Sequence, residues 1–255
     1  MIGELFSLRG RGTLITGAAR GLGEAMALAL AEAGSDVAAV DVEPLDTAAA
    51  AIARRGVRCA RRRADLSALT PQAAAELVGW ARAELGDVSV LVNNAGMIRR
   101  APALEAAAED WHPIIALNLT APFLLSQAFA RPLLAEGRRG SIINVVSMNS
   151  FHGGIHVAAY TASKHGLLGL TRALANEWTG QGIRVNGIAP GYMETDLTRA
   201  LRADDGRYDS LLARMPSGRW GTPADLAGAV VYLASEASGY VSGGFIAVDG
   251  GYLAR

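Results

Sequence analysis

The chain has 255 residues, half of them apolar, and its 24 basic and 24 acidic side chains give a formal charge of zero. That length supports a full hydrophobic core, and the charge balance carries no footprint of a nucleic-acid partner. The single Cys59 excludes an internal disulfide and offers no metal-ligand spacing, so no metal is expected.

The first nine residues hold no charged lead into an apolar stretch, and no run is expected to reach membrane-spanning length. A soluble, cytoplasmic protein with no membrane partner is the expectation. The arginines at 54, 55, 58, 61, 62 and 63 are the one local charge excess, read as a helix C-terminus followed by a solvated strand edge.

Strand candidates fall at 13–16, 36–41, 58–64, 88–93, 141–147, 183–189 and 245–248, apolar runs apart from the arginine-rich 58–64. Alanine-rich helical stretches lie between them at 21–33, 45–55, 71–85, 107–136, 157–179 and 223–235. Such alternation predicts parallel strands joined by crossover helices, hence an α/β, Rossmann-type doubly wound sheet covered on both faces. With no linker and no repeat, residues 1–255 are expected to form one domain. Thr70-Pro71 and Thr222-Pro223 read as helix starts, and Gly34, Gly56, Gly86 and Gly137 as helix stops. Pro132 falls inside the 107–136 helix and predicts a kink or break near 129–131.

After the first strand, Thr16-Gly17-Ala18-Ala19-Arg20-Gly21-Leu22-Gly23 opens a helix. Glycines there let the backbone approach a pyrophosphate, and the helix N-terminus offers unpaired N–H groups to it. Gly17, Arg20, Gly21, Leu22 and Gly23 are therefore cofactor-binding candidates. Asp41 ends the second strand, where a carboxylate accepts hydrogen bonds from ribose hydroxyls and repels a 2′-phosphate. It argues for NAD over NADP, while Arg20 argues the other way.

Tyr160 and Lys164 are four apart and share one helix face downstream of a strand that ends at Ser147. An ammonium beside a phenol favours the phenolate, so Lys164 is expected to lower the Tyr160 pKa toward a working range.

Taken with Asp65-Leu66, Asn93-Asn94-Ala95-Gly96, Asn118 and Pro190-Gly191 with Thr195, these motifs make the whole chain resemble the short-chain dehydrogenase/reductase family. The resemblance implies roles. Asp65 and Leu66 edge an adenine pocket, Asn94, Ala95 and Gly96 pass the cofactor ribose, and Pro190, Gly191, Met193 and Thr195 hold the nicotinamide amide. Tyr160 exchanges a proton with the reacting oxygen, Ser147 holds that oxygen, Lys164 binds the nicotinamide ribose, and Asn118 supports a water chain. It also implies a homotetramer.

Further stretches, including 94–100, 147–154, 175–178, 201–204, 219–221 and 246–255, are similar to the branch of that family acting on keto-deoxy sugar acids such as 2-dehydro-3-deoxy-D-gluconate. Such a small-molecule substrate calls for a cation and a few polar groups. Candidates are Ser147, Arg99, His152, His156 and Arg202, with Arg100 and Arg219 behind them. His152 and His156 depart from the glutamine and arginine of that branch, which leaves a different sugar acid or a neutral polyol open. Residues 192–220, with Arg199, Arg202, Asp204, Asp205 and Arg207, read as a mobile polar lid. The rival readings are a 3-oxoacyl-[acyl-carrier-protein] reductase and a non-catalytic NAD(H)-sensing protein.

Overall fold

The computed structural model describes residues 2–202 and 205–254. A short helix α1 (Ile2–Leu5) leads into β1 (Gly12–Thr16), α2 (Gly21–Glu32), β2 (Asp36–Asp41), α3 (Asp46–Ala53), β3 (Cys59–Arg63), α4 (Pro71–Leu85) and β4 (Val88–Asn93). Then follow α5 (Ala108–Ile115), a π turn (Ala116–Thr120), α6 (Ala121–Ala135), β5 (Gly140–Val145), α7 (Ala158–Trp178) and β6 (Ile183–Pro190). The chain ends through α8 (Arg199–Arg202), α9 (Asp205–Leu212), α10 (Ala227–Ala234) and β7 (Phe245–Val248). The strands form one seven-stranded sheet in the order β3-β2-β1-β4-β5-β6-β7, every neighbouring pair parallel. The expected α/β class and all seven strands stand.

Strand periodicity divides the core between the two faces. Ile15, Val37, Ala39, Val90, Val92 and Ile143 pack with Met26, Leu30, Val230 and Leu233 of α2 and α10. Leu14, Ala38, Val40, Leu91, Ile142 and Val185 pack with Leu77, Leu125, Phe129 and Leu174 of α4, α6 and α7. Each large side chain so buried contributes about 1.5–3 kcal/mol, enough in sum to fix the register of the sheet.

The punctuation reads as expected. The Thr70 hydroxyl caps α4 by accepting from the Ala73 N–H at 3.1 Å, and Asp225 accepts from the Thr222 N–H at 2.7 Å. Gly34, Gly56, Gly86 and Gly137 all adopt positive φ where helices stop. The arginine-rich edge is the bland solvated feature anticipated: Arg55 pairs with Glu32, Arg58 with Asp36 and Arg61 with Asp46.

The 107–136 segment departs from the expected break near 129–131 and from the expected lack of a membrane-length run. α6 runs unbroken through Pro132, which lies near its C-terminal end. The irregularity is the π turn upstream, where the Ala121 N–H reaches back five residues to the Ala116 carbonyl, just before Pro122. The helical run Ala108–Ala135 also spans 28 residues with a hydropathy of 1.4 over its most apolar window, so a run of membrane-spanning length and composition does exist. Half of that window is buried, and Leu125, Phe129 and Leu133 sit in the sheet core, so this face is covered by protein.

Candidate active site

The residues singled out in sequence gather at the C-terminal edge of the sheet, where ligands bind in open α/β folds. Gly17 and Gly21 take φ of +67° and +61°, conformations that L side chains rarely adopt. A Cβ on Gly23 would lie 1.9 Å from the Gly17 carbonyl oxygen, and one on Gly17 would lie 2.8 Å from Asn94 Nδ2. Asn94 locks this turn by donating to the Thr16 and Gly17 carbonyls at 2.9 and 3.0 Å, while the Thr16 hydroxyl accepts from the Asn94 and Ala95 N–H groups. The turn leaves backbone at the head of α2 that can approach a dinucleotide pyrophosphate, so the residues present fit that group.

Around it, Asp41 accepts from the Ala19 N–H at 2.9 Å and the Glu43 N–H at 3.0 Å, which ties the end of β2 to the glycine turn. Arg20 is exposed and paired with Asp196 at 2.9 Å. Asp65 is exposed beside the buried Leu66, and the Ser67 N–H on its carboxylate holds its pKa below the usual range. Beyond Pro190 and Gly191, buried Met193 pairs with Gly221, and Thr198 bonds the Met193 carbonyl to set the course of Thr195.

Ser147 lies just past β5. Its hydroxyl accepts from the Asn149 N–H, its own N–H donates to the Ser150 hydroxyl, and that hydroxyl donates to the Lys164 carbonyl at 2.8 Å. The strand end is thereby pinned to α7, which carries Tyr160 and Lys164. Asn118 sits in the π turn, fully buried, exchanging two hydrogen bonds with the Met97 backbone and donating to Ser163. A Cβ on Gly96 would stand 3.2 Å from Asn118 Oδ1 and 3.8 Å from Lys164 Nζ, so three of the predicted motifs meet at one point. Below them, buried Asn93 donates to Asn144 and Asn144 to Thr171, a polar seam between β4, β5 and α7 of which sequence pattern marks only Asn93.

The surroundings of Tyr160 add a cation that spacing did not indicate. Burial raises the phenol pKa, and the influences pulling it back are a hydrogen bond with Ser147 and the positive charge of Arg100. The Lys164 ammonium donates to the Val145 carbonyl at 2.7 Å and faces the Tyr160 ring, and burial pushes its own pKa down to about 8.

Of the substrate candidates, Arg99 is exposed and near Asp110 at 3.7 Å, leaving Arg100 as the member of that pair whose charge acts on the phenol. His152 lines a cavity of about 280 Å³ with Phe151, Arg214, Tyr252 and Leu253. Its Nε2 and the Tyr252 hydroxyl are buried there without hydrogen-bond partners among the described residues. Arg214 lies 4.9 Å over the Tyr252 ring. Arg214 belongs to no motif and Tyr252 only to the 246–255 stretch, and the fold brings both to His152. His156 is exposed at φ +63°, its carbonyl accepting from the Ala101 N–H. Arg219 is held by both oxygens of Asp225. Asp204 and the side chains of Arg202, Asp205 and Arg207 lie outside the described residues.

Comparison with known proteins agrees with this geometry. Residues 17–253 match a family model described as enoyl-(acyl carrier protein) reductase. The chain is 50% identical to the 2-dehydro-3-deoxy-D-gluconate 5-dehydrogenase of Escherichia coli (strain K12), over 100% of both chains. A structure from Agrobacterium tumefaciens with bound NADP, described as a candidate 2-deoxy-D-gluconate 3-dehydrogenase, is 48% identical, covers 98% of this chain and 99% of its own, and superposes with a TM-score of 0.92. The gluconate 5-dehydrogenase of Burkholderia cenocepacia J2315, in complex with NADP and tartrate, is 37% identical with a TM-score of 0.94 over 100% of both chains. The protein is a nicotinamide-dependent oxidoreductase acting on CH–OH groups and belongs to the short-chain dehydrogenase/reductase family.

Proposed function

We propose that the chain interconverts a secondary alcohol and a ketone on a keto-deoxy sugar acid such as 2-dehydro-3-deoxy-D-gluconate, with NAD(H) as cofactor. What supports this reading is that Tyr160 is hydrogen-bonded to Ser147 and lies within the positive field of Arg100, so a hydroxyl, a phenol and a cation act on one place. A neutral alcohol needs only the first two, whereas the carboxylate of an acid substrate is favoured by that positive field. The E. coli relative acts on such a compound by name, and the B. cenocepacia relative holds tartrate, a hydroxylated dicarboxylate.

In the oxidative direction Ser147 holds the substrate hydroxyl and the Tyr160 phenolate removes its proton as the carbonyl forms. The nicotinamide, when bound, supplies the hydride acceptor. Lys164 holds the nicotinamide ribose, and Asn118 orders the water that returns the proton to solvent. Gly17, Arg20, Gly21, Leu22, Gly23, Asp41, Asp65, Leu66, Asn94, Ala95, Gly96, Pro190, Gly191, Met193 and Thr195 line the cofactor. The protein's contribution is position and charge rather than covalent chemistry.

His152 and the cavity it shares with Arg214 and Tyr252 receive the far, polar end of the substrate, under a lid formed by 192–220 of a single-domain subunit. Cytoplasmic location and a homotetramer complete the reading.

NAD is favoured by Asp41, and Arg20, the cation that would greet a 2′-phosphate, is neutralised by Asp196. The NADP in two relatives runs counter to this. Turnover with NADH and NADPH on keto-deoxy sugar acids, neutral sugars and acyl thioesters, measured side by side, tests every part. Preference for acyl thioesters, or NADPH at least tenfold more efficient than NADH, overturns the corresponding part. Tight NADH binding with no turnover on the panel would favour a sensor.

A further inference from the structure

At the opposite end of the sheet from Tyr160, the N-terminal ends of β4, β5 and β6 and the approach to β1 surround a second cavity of about 250 Å³. It lies roughly 20 Å from Ser147, the length of β5 and its flanks. Four guanidiniums line it, from Arg11, Arg138, Arg139 and Arg184, against the two carboxylates of Asp87 and Glu236. The lining therefore carries two positive charges in excess.

Arg184 is 8% exposed and donates to the Ser238 hydroxyl and to the Leu233 and Ser235 carbonyls, which fix its plane. Burial depresses its pKa, Glu236 opposes this, and the charges of Arg11 and Arg139 add to the depression. Glu236 answers part of this by pairing with Arg11 and, at 3.4 Å, with Arg139. Asp87 pairs with Arg138, which Glu136 just outside the lining also holds at 3.1 Å, so the free positive charge sits on Arg11, Arg139 and Arg184.

The lining also holds Ser89, on β4, 7% exposed, whose hydroxyl has no hydrogen-bond partner among the described residues. A buried hydroxyl without a partner costs about 1–3 kcal/mol, so a ligand that accepts from it is favoured. Converging guanidiniums and a spare hydroxyl donor match a small oxyanion, which presents many acceptors to forked donors. The volume is below the roughly 300–1,000 Å³ of drug-sized pockets and suits a compact ion.

The two carboxylates choose among such ions. Each carboxylate has about four lone-pair sites and can accept beyond its arginine partner. An anion that carries its own O–H can donate to Asp87 or Glu236, whereas a fully deprotonated one only meets their repulsion. We infer that this cavity is a binding site for hydrogen phosphate, separate from the dinucleotide site, built from Arg11, Arg139, Arg184 and Ser89 with Asp87 or Glu236 accepting the phosphate proton.

The experiment is a calorimetric titration of the intact protein with inorganic phosphate at neutral pH and constant ionic strength. Saturating NADH is present throughout, so that the glycine turn is occupied. Saturable binding of phosphate is expected, with sulfate at least tenfold weaker. Arg139→Ala, at an exposed side chain with one long ion pair, is expected to weaken phosphate about tenfold. Ser89→Ala is expected to weaken it several-fold while leaving the phosphate-free thermal midpoint unchanged or slightly higher. Heat that sodium chloride reproduces, sulfate bound as well as phosphate, or unaltered phosphate affinity in both variants would each overturn the assignment.

Discussion

The Lys164 ammonium lies 5.7 Å from the centroid of the Tyr160 ring, yet its hydrogen bond runs to the Val145 carbonyl. Burial pushes the phenol's pKa up, against a hydrogen bond with Ser147 and the charge of Arg100, and pushes the ammonium's down to about 8.

For Lys164 the consequence is a pH-dependent stability. Below about 8 both folded and unfolded chains hold the proton, and the fold bears the full penalty of a buried ammonium. Between about 8 and the ordinary value of 10.5 the unfolded chain keeps a proton that the folded chain has released, so this contribution to stability rises with pH. The penalty below that window is on the order of 3 kcal/mol. Lys164→Met is expected to remove this rise. Urea unfolding of both proteins at the two ends of the window checks it; the same pH difference in each would reject the burial account.

Tyr160→Phe is expected to abolish turnover with NADH binding nearly intact, since the ring packing survives and only the hydroxyl is lost. Retained turnover removes Tyr160 from the proton step. Arg100→Met addresses the charge acting on the phenol. Without that cation the phenolate is less favoured, so the alkaline rise of the oxidation rate is expected to move to higher pH. At a fixed pH on that rise, the rate falls about two- to fivefold, the range for an exposed charge. A lower kcat with an unshifted pH profile would assign Arg100 to substrate contact alone.

The glycine turn separates conformation from space. Gly21→Ala meets no atom closer than 3.8 Å but must hold φ near +61°, so about 1–2 kcal/mol of stability is expected to go. Gly23→Ala would set a methyl 1.9 Å from the Gly17 carbonyl oxygen and push the turn off Asn94. Fluorescence titration with NADH is expected to show affinity falling by about a hundredfold or more in Gly23→Ala and by far less in Gly21→Ala. Equal losses would mean that the turn yields without moving its N–H groups.

The central strands were legible because buried parallel strands are short apolar runs bounded by turn glycines and helix caps. The exposed, arginine-rich β3 was legible only from its place in the alternation. The 107–136 segment was harder. Hydrophobic period detects a helix there but not the five-residue reach that makes the π turn at Asn118, and Pro132 drew attention to the wrong end. Cations were harder still. Arg99 and Arg100 are adjacent letters, and only the loop's path gives the first to Asp110 and the second to the Tyr160 field. Spacing placed Lys164 beside Tyr160 but could not see the Val145 carbonyl that takes its hydrogen bond.

Asp41 connects cofactor choice to the same turn. Its carboxylate accepts from the Ala19 N–H, so it acts as both a ribose acceptor and a clamp on the loop that follows β1. Asp41→Ala removes the charge that repels a 2′-phosphate and leaves the Ala19 N–H without its acceptor. Two effects are therefore expected together: kcat/KM with NADPH rises relative to NADH by about tenfold or more, and stability falls by about 1 kcal/mol from the lost hydrogen bond. Asp41→Asn separates them, since its amide oxygen still accepts from Ala19 while the charge is gone. A cofactor switch in both variants, with the stability loss confined to alanine, is the expected pattern. An unchanged NADPH:NADH ratio in Asp41→Asn would show that the carboxylate serves the loop and not the choice of cofactor.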